Sequence, residues 1–87
     1  MNYKLFFTLK SKQDLAKIDK RNSKRIMDKL FHFCNSDSPM YFAKKLSNPK
    51  FGTFRYRIGN YRVLFDLEIY QDNASLIILA VKHRKEI

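Results

Sequence analysis

The sequence predicts an α+β fold in which helices pack on one face of a four-stranded, mainly antiparallel sheet. This prediction rests on a change of hydrophobic period along the chain. Apolar residues recur at helical spacing before Asn35 and alternate with polar residues after Gly52. The 87 residues, 45% of them hydrophobic, suffice for one domain with a modest core, residues 1–87. The predicted order is an N-terminal strand, a helical hairpin with a short third helix, and a three-stranded antiparallel meander.

The N-terminal segment Tyr3–Leu9 alternates between apolar and other side chains, which is typical of a half-buried strand. Ser11 and Asp14 follow with capping-box spacing, so we expect a short helix with Ser11 as its N-cap. The apolar residues that this helix would bury are Leu15, Ala16 and Ile18. Residues 19–22 form the predicted hinge to the second helix.

The second helix has one apolar face, because its hydrophobic residues are spaced i, i+4, i+7 and i+8. These residues are Ile26, Leu30, Phe33 and Cys34. After a turn, Ser38 and Pro39 suit the cap and the first position of a short third helix that would hold Met40 to Ala43.

The C-terminal half has the pattern of three strands. Phe54–Ile58 and the segment from Tyr61 onward alternate, and Gly59 and Asn60 between them suit a two-residue hairpin turn. Residues 71–73 form another turn. The apolar run from Leu76 to Val81 then indicates a central strand that is buried on both faces.

The net charge of +10 points to an anionic partner. The segment between Asp37 and Asp66 carries six basic residues and no acidic one. These residues are Lys44, Lys45, Lys50, Arg55, Arg57 and Arg62. A run of one sign favours binding to a polyanion, although the helical part of the chain is also basic.

The hairpin gives the most specific inference about a site. If Gly59 and Asn60 are the turn, Arg57 lies directly opposite Arg62, and Arg55 emerges on the same face, away from the helices. Opposed like charges destabilise a sheet unless an anion lies between them, and the arginine fork matches the oxygens of a phosphodiester. The alternative is a solvated basic strand whose arginine stems cover apolar surface.

The C-terminal segment after the central strand is also basic and contains Lys82, His83, Arg84 and Lys85. We expect some of these side chains beside the hairpin arginines, with His83 as the one group there suited to proton transfer near neutral pH. The alternative is a frayed basic tail. The sequence has no metal-ligand spacing and no glycine-rich phosphate loop, so we expect no metal and no cofactor.

The single cysteine, Cys34, excludes an internal disulfide and fits a reducing compartment. No apolar run approaches the roughly 18 residues of a membrane span, and the N-terminal apolar stretch is too short for a signal peptide. We therefore expect a cytoplasmic protein with no membrane partner.

Residues 54–65, FRYRIGNYRVLF, and residues 81–87, VKHRKEI, resemble the hairpin and the C-terminal motif of the RelE/ParE toxins. The N-terminal strand, residues 14–18 and residues 44–46 also match the layout of that family. The resemblance covers nearly the whole chain and favours the RelE-like branch. It implies a helical hairpin packed against a four-stranded sheet, and a cognate antitoxin as protein partner.

The resemblance also implies an activity. RelE-type toxins cut mRNA in the ribosomal A site without a metal: the 2′-hydroxyl attacks the adjacent phosphate and leaves a 2′,3′-cyclic phosphate and a 5′-hydroxyl. By motif position, Arg55 and Arg57 match the basic residues of one hairpin strand, Arg62 the arginine that opens the next, and Lys82 or Arg84 the basic residue after the last strand. The candidate catalytic residues are Arg55, Arg57, Arg62, His83 and Arg84. The candidate residues for binding mRNA and ribosomal RNA are Lys44, Lys45, Lys50, Lys82 and Lys85.

Family members commonly have a tyrosine just after the position of Ile87, where this sequence stops. The alternatives are weakened cleavage, substitution by His83 or another group, and a truncated sequence. Two further functions stay open: a ParE-type toxin that inhibits DNA gyrase, and a non-catalytic protein that binds RNA or the ribosome.

Overall fold

A computed structural model describes residues 1–47 and 52–86 of the chain. Its core element is a five-stranded mixed sheet with strand order β1-β5-β4-β3-β2. The strands are β1 (Asn2–Phe7), β2 (Ala43–Lys45), β3 (Phe54–Ile58), β4 (Tyr61–Tyr70) and β5 (Asn73–His83). The helices are α1 (Leu9–Lys17) and α2 (Lys20–Cys34), with short 3-10 helices at Pro39–Phe42 and Arg84–Glu86. The predicted α+β class, the helical hairpin and the antiparallel meander β3-β4-β5 are confirmed.

The sheet has one strand more than predicted. The third helix is a 3-10 turn that ends at Phe42, and Ala43 has extended backbone angles and pairs with Tyr56. The placement of Ala43 in that helix was therefore wrong, and no side-chain cap from Ser38 is present, although Pro39 does occupy its first turn. A three-residue edge strand is too short to show an alternating pattern, and its two lysines suit an exposed edge.

Helix α1 begins earlier than predicted, because Thr8 and not Ser11 is its N-cap. The Thr8 hydroxyl accepts a hydrogen bond from the Ser11 N–H at 3.1 Å, and the Ser11 hydroxyl lies buried within the first turn and donates to the Thr8 carbonyl. Leu15 is half-buried as expected, but Ala16 is exposed. The hinge is also shorter than predicted, since Asp19 caps α2 and that helix begins at Lys20.

The apolar face of α2 is confirmed. Ile26, Leu30, Phe33 and Cys34 are buried against the sheet. From the sheet, alternate residues of β3 and β4 such as Tyr56 and Phe65 complete this core. We call the covered face of the sheet the helix side and the opposite face the outer face. No helix within residues 1–47 and 52–86 is long and apolar enough to cross a bilayer.

Strand β5 lies between β1 and β4, and its second half is held by α1 instead of by β1. Strand β1 runs parallel to β5 only as far as the pair Phe7 and Ile78. Beyond that point, the Thr8 hydroxyl donates to the Leu79 carbonyl at 3.1 Å, and the Asp14 carboxylate accepts from the Val81 N–H at 2.9 Å. Polar side chains of α1 thus replace the missing strand along the edge of β5.

A β-bulge interrupts β5 at the same place. Leu64 of β4 pairs with Ala80, whereas the next residue, Phe65, pairs with Ile78, so Leu79 is an extra residue in the ladder. An extra residue reverses the side chains that follow it from one face of the sheet to the other.

Candidate phosphate-binding site on the outer face of the sheet

The β3–β4 hairpin positions the site as the sequence predicts. Ile58 pairs with Tyr61 and Arg57 pairs with Arg62, so Gly59 and Asn60 are the two turn residues. Gly59 has a φ of +58°, which a residue with a side chain adopts only at a cost. This turn fixes the register and therefore the direct opposition of the two arginines.

Two rows of cations cross the outer face at this end of the sheet. In the first row, Lys44 of β2 pairs with Arg55 of β3. In the second, Arg57 of β3, Arg62 of β4 and Lys82 of β5 are neighbours on three successive strands. The outer face here encloses a small pocket of about 80 Å³, lined by Phe42, Lys44, Arg55, Arg57 and Arg62.

Arg62 is the best-fixed member of this group. It is 8% exposed, and its Nη1 donates to the carbonyls of Gly59 and Tyr61 at 3.2 and 3.0 Å. Burial and the neighbouring charges of Arg57, Arg55 and Arg84 lower the pKa of Arg62 below its ordinary value. An arginine keeps its charge at neutral pH even so, and Arg62 therefore presents a charged group that is oriented before any ligand arrives.

No acidic partner neutralises these cations within the described part of the chain. The ion pairs there are Lys10 with Asp14, Lys24 with Asp28, and the N-terminal amine with Asp72. Asp66, which shares the outer face, instead accepts hydrogen bonds from the backbone and hydroxyl of Thr53 at 2.9 and 2.8 Å. The site therefore has the electrostatics of an anion-binding site, with several donors and no competing carboxylate.

His83 does not lie with the arginines. Because of the bulge at Leu79, Lys82 pairs with Arg62 on the outer face, whereas His83 pairs with Tyr61 on the helix side. The rings of Tyr61 and His83 meet at 82° with centroids 5.4 Å apart. The expected location of His83 beside the hairpin arginines was wrong, since a continuous apolar run gives no sign of the bulge inside it.

On the helix side, His83 organises the end of the chain. Its backbone N–H donates to Glu86 Oε1 at 2.9 Å, and its Nδ1 accepts from the Lys85 N–H at 3.2 Å. It lines a polar cleft of about 510 Å³ together with residues that include Asp14 and Glu86.

Burial raises the pKa of the Asp14 carboxyl, but hydrogen bonds from Lys10 and the Val81 N–H outweigh that effect and leave the pKa lowered.

The remaining predicted residues are distributed as follows. Arg84 is exposed, its N–H donates to the Asn60 carbonyl at 2.7 Å, and its charge acts on Arg62. Lys45 pairs with Phe54 and therefore lies on the helix side of the edge strand, whereas Lys85 is exposed in the last 3-10 turn. Lys50 and Ile87 lie outside the described residues.

The sequence reasoning missed Phe42 as part of the pocket. It gave Lys82 as an RNA-binding residue and, together with Arg84, as one of two matches to the basic residue after the last strand. Phe42 could have been suspected because it lies two residues before Lys44 in the sequence. Within residues 1–47 and 52–86, no group of three His, Cys, Asp or Glu residues is placed to hold a metal. Cys34 donates to the Tyr3 carbonyl at 3.4 Å, and burial raises the pKa of its thiol, which disfavours the nucleophilic thiolate form.

Comparison with known proteins identifies the family of this chain. A family model described as the ParE toxin of type II toxin–antitoxin systems, parDE, matches residues 5–87. The chain belongs to the RelE/ParE superfamily of type II toxins. This toxin is 30% identical over 87 residues to Toxin RelG of Mycobacterium tuberculosis, a match that covers 100% of this chain and 97% of RelG.

Solved structures agree with this assignment. The RelBE2 toxin–antitoxin complex of Mycobacterium tuberculosis contains a chain with 31% identity and a TM-score of 0.67, covering 97% of this toxin and 100% of that chain. The archaeal RelE–RelB complex of Pyrococcus horikoshii contains one with a TM-score of 0.70 over the full length of both chains. Its identity is 21%, so that likeness concerns the fold alone.

Proposed function

We propose that this toxin is a ribosome-dependent, metal-independent mRNA endoribonuclease, and that the outer-face cations bind the phosphate that is cut. The observation that supports the proposal is the row Arg57, Arg62 and Lys82, which places three positive charges side by side without an acidic partner in the described structure. Such an arrangement lowers local stability and is expected where an anion is bound.

The proposed reaction is an internal transfer. The ribose 2′-oxygen loses its proton and attacks the adjacent phosphorus, the bond from phosphorus to the 5′-oxygen breaks, and the 5′-oxygen takes up a proton. The products are a 2′,3′-cyclic phosphate and a 5′-hydroxyl. Negative charge collects on the phosphate oxygens in the transition state, where Arg57, Arg62 and Lys82 stabilise it. Arg55 and Lys44 extend the same positive surface to the sheet edge.

In this mechanism His83 acts as a positioning residue. It holds the last 3-10 turn through Lys85 and Glu86, and that turn carries Arg84 close enough for its charge to act on Arg62. The outer-face cations are already protonated, so they can donate a proton to the leaving 5′-oxygen but cannot accept one. The proton of the 2′-hydroxyl therefore passes to a base of the ribosomal context.

The proposed partners are the ribosome, mRNA in its A site and a cognate antitoxin, which places the toxin in the cytoplasm. The RelBE2 structure is a toxin–antitoxin complex, which supports an antitoxin for this chain too. An acidic or amphipathic antitoxin segment suits the uncompensated charge of the outer face.

A second candidate is gyrase inhibition, which the match of residues 5–87 to the ParE toxin model favours. Cell-free translation with primer extension on the mRNA separates the candidates. Codon-phased cuts that vanish with Arg57→Ala support the ribonuclease. Intact mRNA with inhibited DNA supercoiling supports the gyrase inhibitor, and blocked translation without cuts indicates a non-catalytic ribosome binder.

A further inference from the structure

One wall of the phosphate-binding pocket is aromatic. Phe42 lines the pocket beside Lys44 and the three arginines, and 39% of its surface is exposed. A phenylalanine that only completed the core would be buried, whereas this ring lies at the boundary between the core and a charged, solvent-accessible site. Its position therefore calls for a ligand with both a negative charge and an apolar surface.

The size of the pocket limits what can enter it. A volume of about 80 Å³ corresponds to roughly two to three water molecules. A phosphate group fits such a space, but a nucleobase with its planar ring does not. When a phosphate of a polynucleotide occupies the pocket, the exposed Phe42 ring beside it is within reach of a neighbouring base.

The Phe42 ring is fixed by its packing against the aromatic residues of the core. It stacks on Phe33 of α2 with centroids 4.5 Å apart and an interplanar angle of 20°, and Phe33 in turn contacts Tyr56 at 4.7 Å. The buried Tyr56 hydroxyl donates to the Pro39 carbonyl at 2.9 Å, which fixes the start of the 3-10 helix that carries Phe42. A ring that is already ordered loses little conformational entropy when a base stacks on it.

We propose that Phe42 is a stacking platform for an unpaired RNA base whose neighbouring phosphate occupies the arginine pocket. The inference rests on the proposed function, since it specifies how the same site holds a nucleotide. Unstacked bases of single-stranded RNA are commonly bound on aromatic side chains next to cationic groups. Stacking of this kind accepts every base, so the platform adds affinity and orientation without selecting a sequence.

The absence of tryptophan from the chain allows a direct test. Phe42→Trp places a single fluorophore at the rim, and Phe31→Trp places one on α2, where Phe31 is 49% exposed and does not line the pocket. Each variant is titrated at low salt with a short, unstructured, dye-labelled oligoribonucleotide and, separately, with tripolyphosphate. RNA binding is followed in parallel by the anisotropy of the label.

We expect the oligoribonucleotide to quench Phe42→Trp, whereas tripolyphosphate leaves its emission unchanged and Phe31→Trp responds to neither. Equal quenching of both variants, or an equal response of Phe42→Trp to tripolyphosphate, would overturn the proposal. Bound RNA with unchanged Phe42→Trp emission, or no RNA binding at all, would overturn it as well.

A second measurement separates this proposal from the proposed function. Phe42→Leu keeps an apolar contact with Phe33 but removes the aromatic ring, and we expect it to lower kcat/KM for mRNA cleavage by about 5- to 100-fold. Phe42→Tyr keeps the ring and should cleave faster than Phe42→Leu, and the control Phe31→Leu, outside the pocket, should cleave as the wild type does. If Phe42→Leu cleaves mRNA as fast as the wild type, the stacking platform is wrong and the proposed ribonuclease function is unaffected. If the wild type does not cleave mRNA but RNA still quenches the fluorescence of Phe42→Trp, the ribonuclease proposal is wrong and the stacking platform is supported.

Discussion

At the end of β5, the two faces of the sheet differ in how their charged residues are paired, although the residues concerned are neighbours in the sequence. On the helix side, Lys10 and Asp14 form an ion pair in a cleft that His83 and Glu86 also line, and the Glu86 carboxylate accepts a hydrogen bond from the His83 backbone N–H. On the outer face, Lys82 lies beside Arg62 and the other hairpin cations without an acidic partner in the described structure. Paired charges hold a structure together, whereas unpaired like charges store repulsion that a bound anion relieves.

The largest effect is expected when Lys82 on the outer face and His83 on the helix side are each replaced by alanine and compared. Lys82→Ala removes a cation that would donate a hydrogen bond to the bound phosphate, and it should lower the rate of mRNA cleavage on the order of 10²–10³-fold. His83→Ala removes the acceptor for the Lys85 N–H and should lower the rate by less than about tenfold. Single-turnover cleavage on programmed ribosomes measures both variants. If His83→Ala is the more damaging of the two, the assignment of chemistry to the outer face is wrong.

The second comparison lies within the arginine pair and concerns stability. Arg62→Ala removes two hydrogen bonds to the Gly59 and Tyr61 carbonyls from a buried position and should destabilise the fold by about 1–3 kcal/mol. Arg57 is exposed, and Arg57→Ala should change stability by about 0.5 kcal/mol or less while still impairing cleavage. Urea unfolding of both variants gives the difference, and equal stabilities would show that the backbone contacts of Arg62 contribute nothing.

The helix side should respond to acid. Because the folded pKa of Asp14 is lowered, its contribution to stability is complete above the ordinary value near about 4 and is lost as the pH falls through the folded pKa. Asp14→Asn should cost about 1–2 kcal/mol at neutral pH, since an amide cannot serve both Lys10 and the Val81 N–H as an acceptor. Thermal melts between pH 3 and about 6 should show a weaker pH dependence for the variant, and parallel curves would refute this role.

The smallest effect is expected at the turn where the two sides meet. Gly59→Ala forces a side chain into left-handed backbone geometry and should cost about 1 kcal/mol. The added methyl group would also approach Arg25 Nη1 of α2 to 2.8 Å, but the end of a flexible side chain can move away. Gly59→Asn, with a residue that tolerates this geometry better, is the matched control and should melt closer to the wild type.

The sequence predicted those parts of the site that depend on local rules. The alternation in β3 and β4, together with a two-residue turn, was sufficient to place Arg57 opposite Arg62. The apolar spacing of α2 likewise identified its buried face.

The features that the sequence did not predict depend on long-range contacts. Strand β2 forms only because β3 offers an unpaired edge to a three-residue segment. The N-cap at Thr8 is coupled to the Leu79 carbonyl, 71 positions away in the chain. The location of His83 depends on a bulge inside an apolar run, where no polar residue marks the point at which the alternation of the two faces reverses.

That bulge has a consequence for how such toxins diverge. Whether a residue near the chain end lies on the outer face or on the helix side is decided by the bulge that precedes it in β5, and its chemical type has no part in that choice. If β5 paired regularly, with Leu79 opposite Leu64, Lys82 would pair with Tyr61 on the helix side and His83 would move to the outer face, although neither residue had changed. Gain or loss of the bulge therefore exchanges the side chains of the two faces in one step, and relatives should be aligned by the face that each residue occupies.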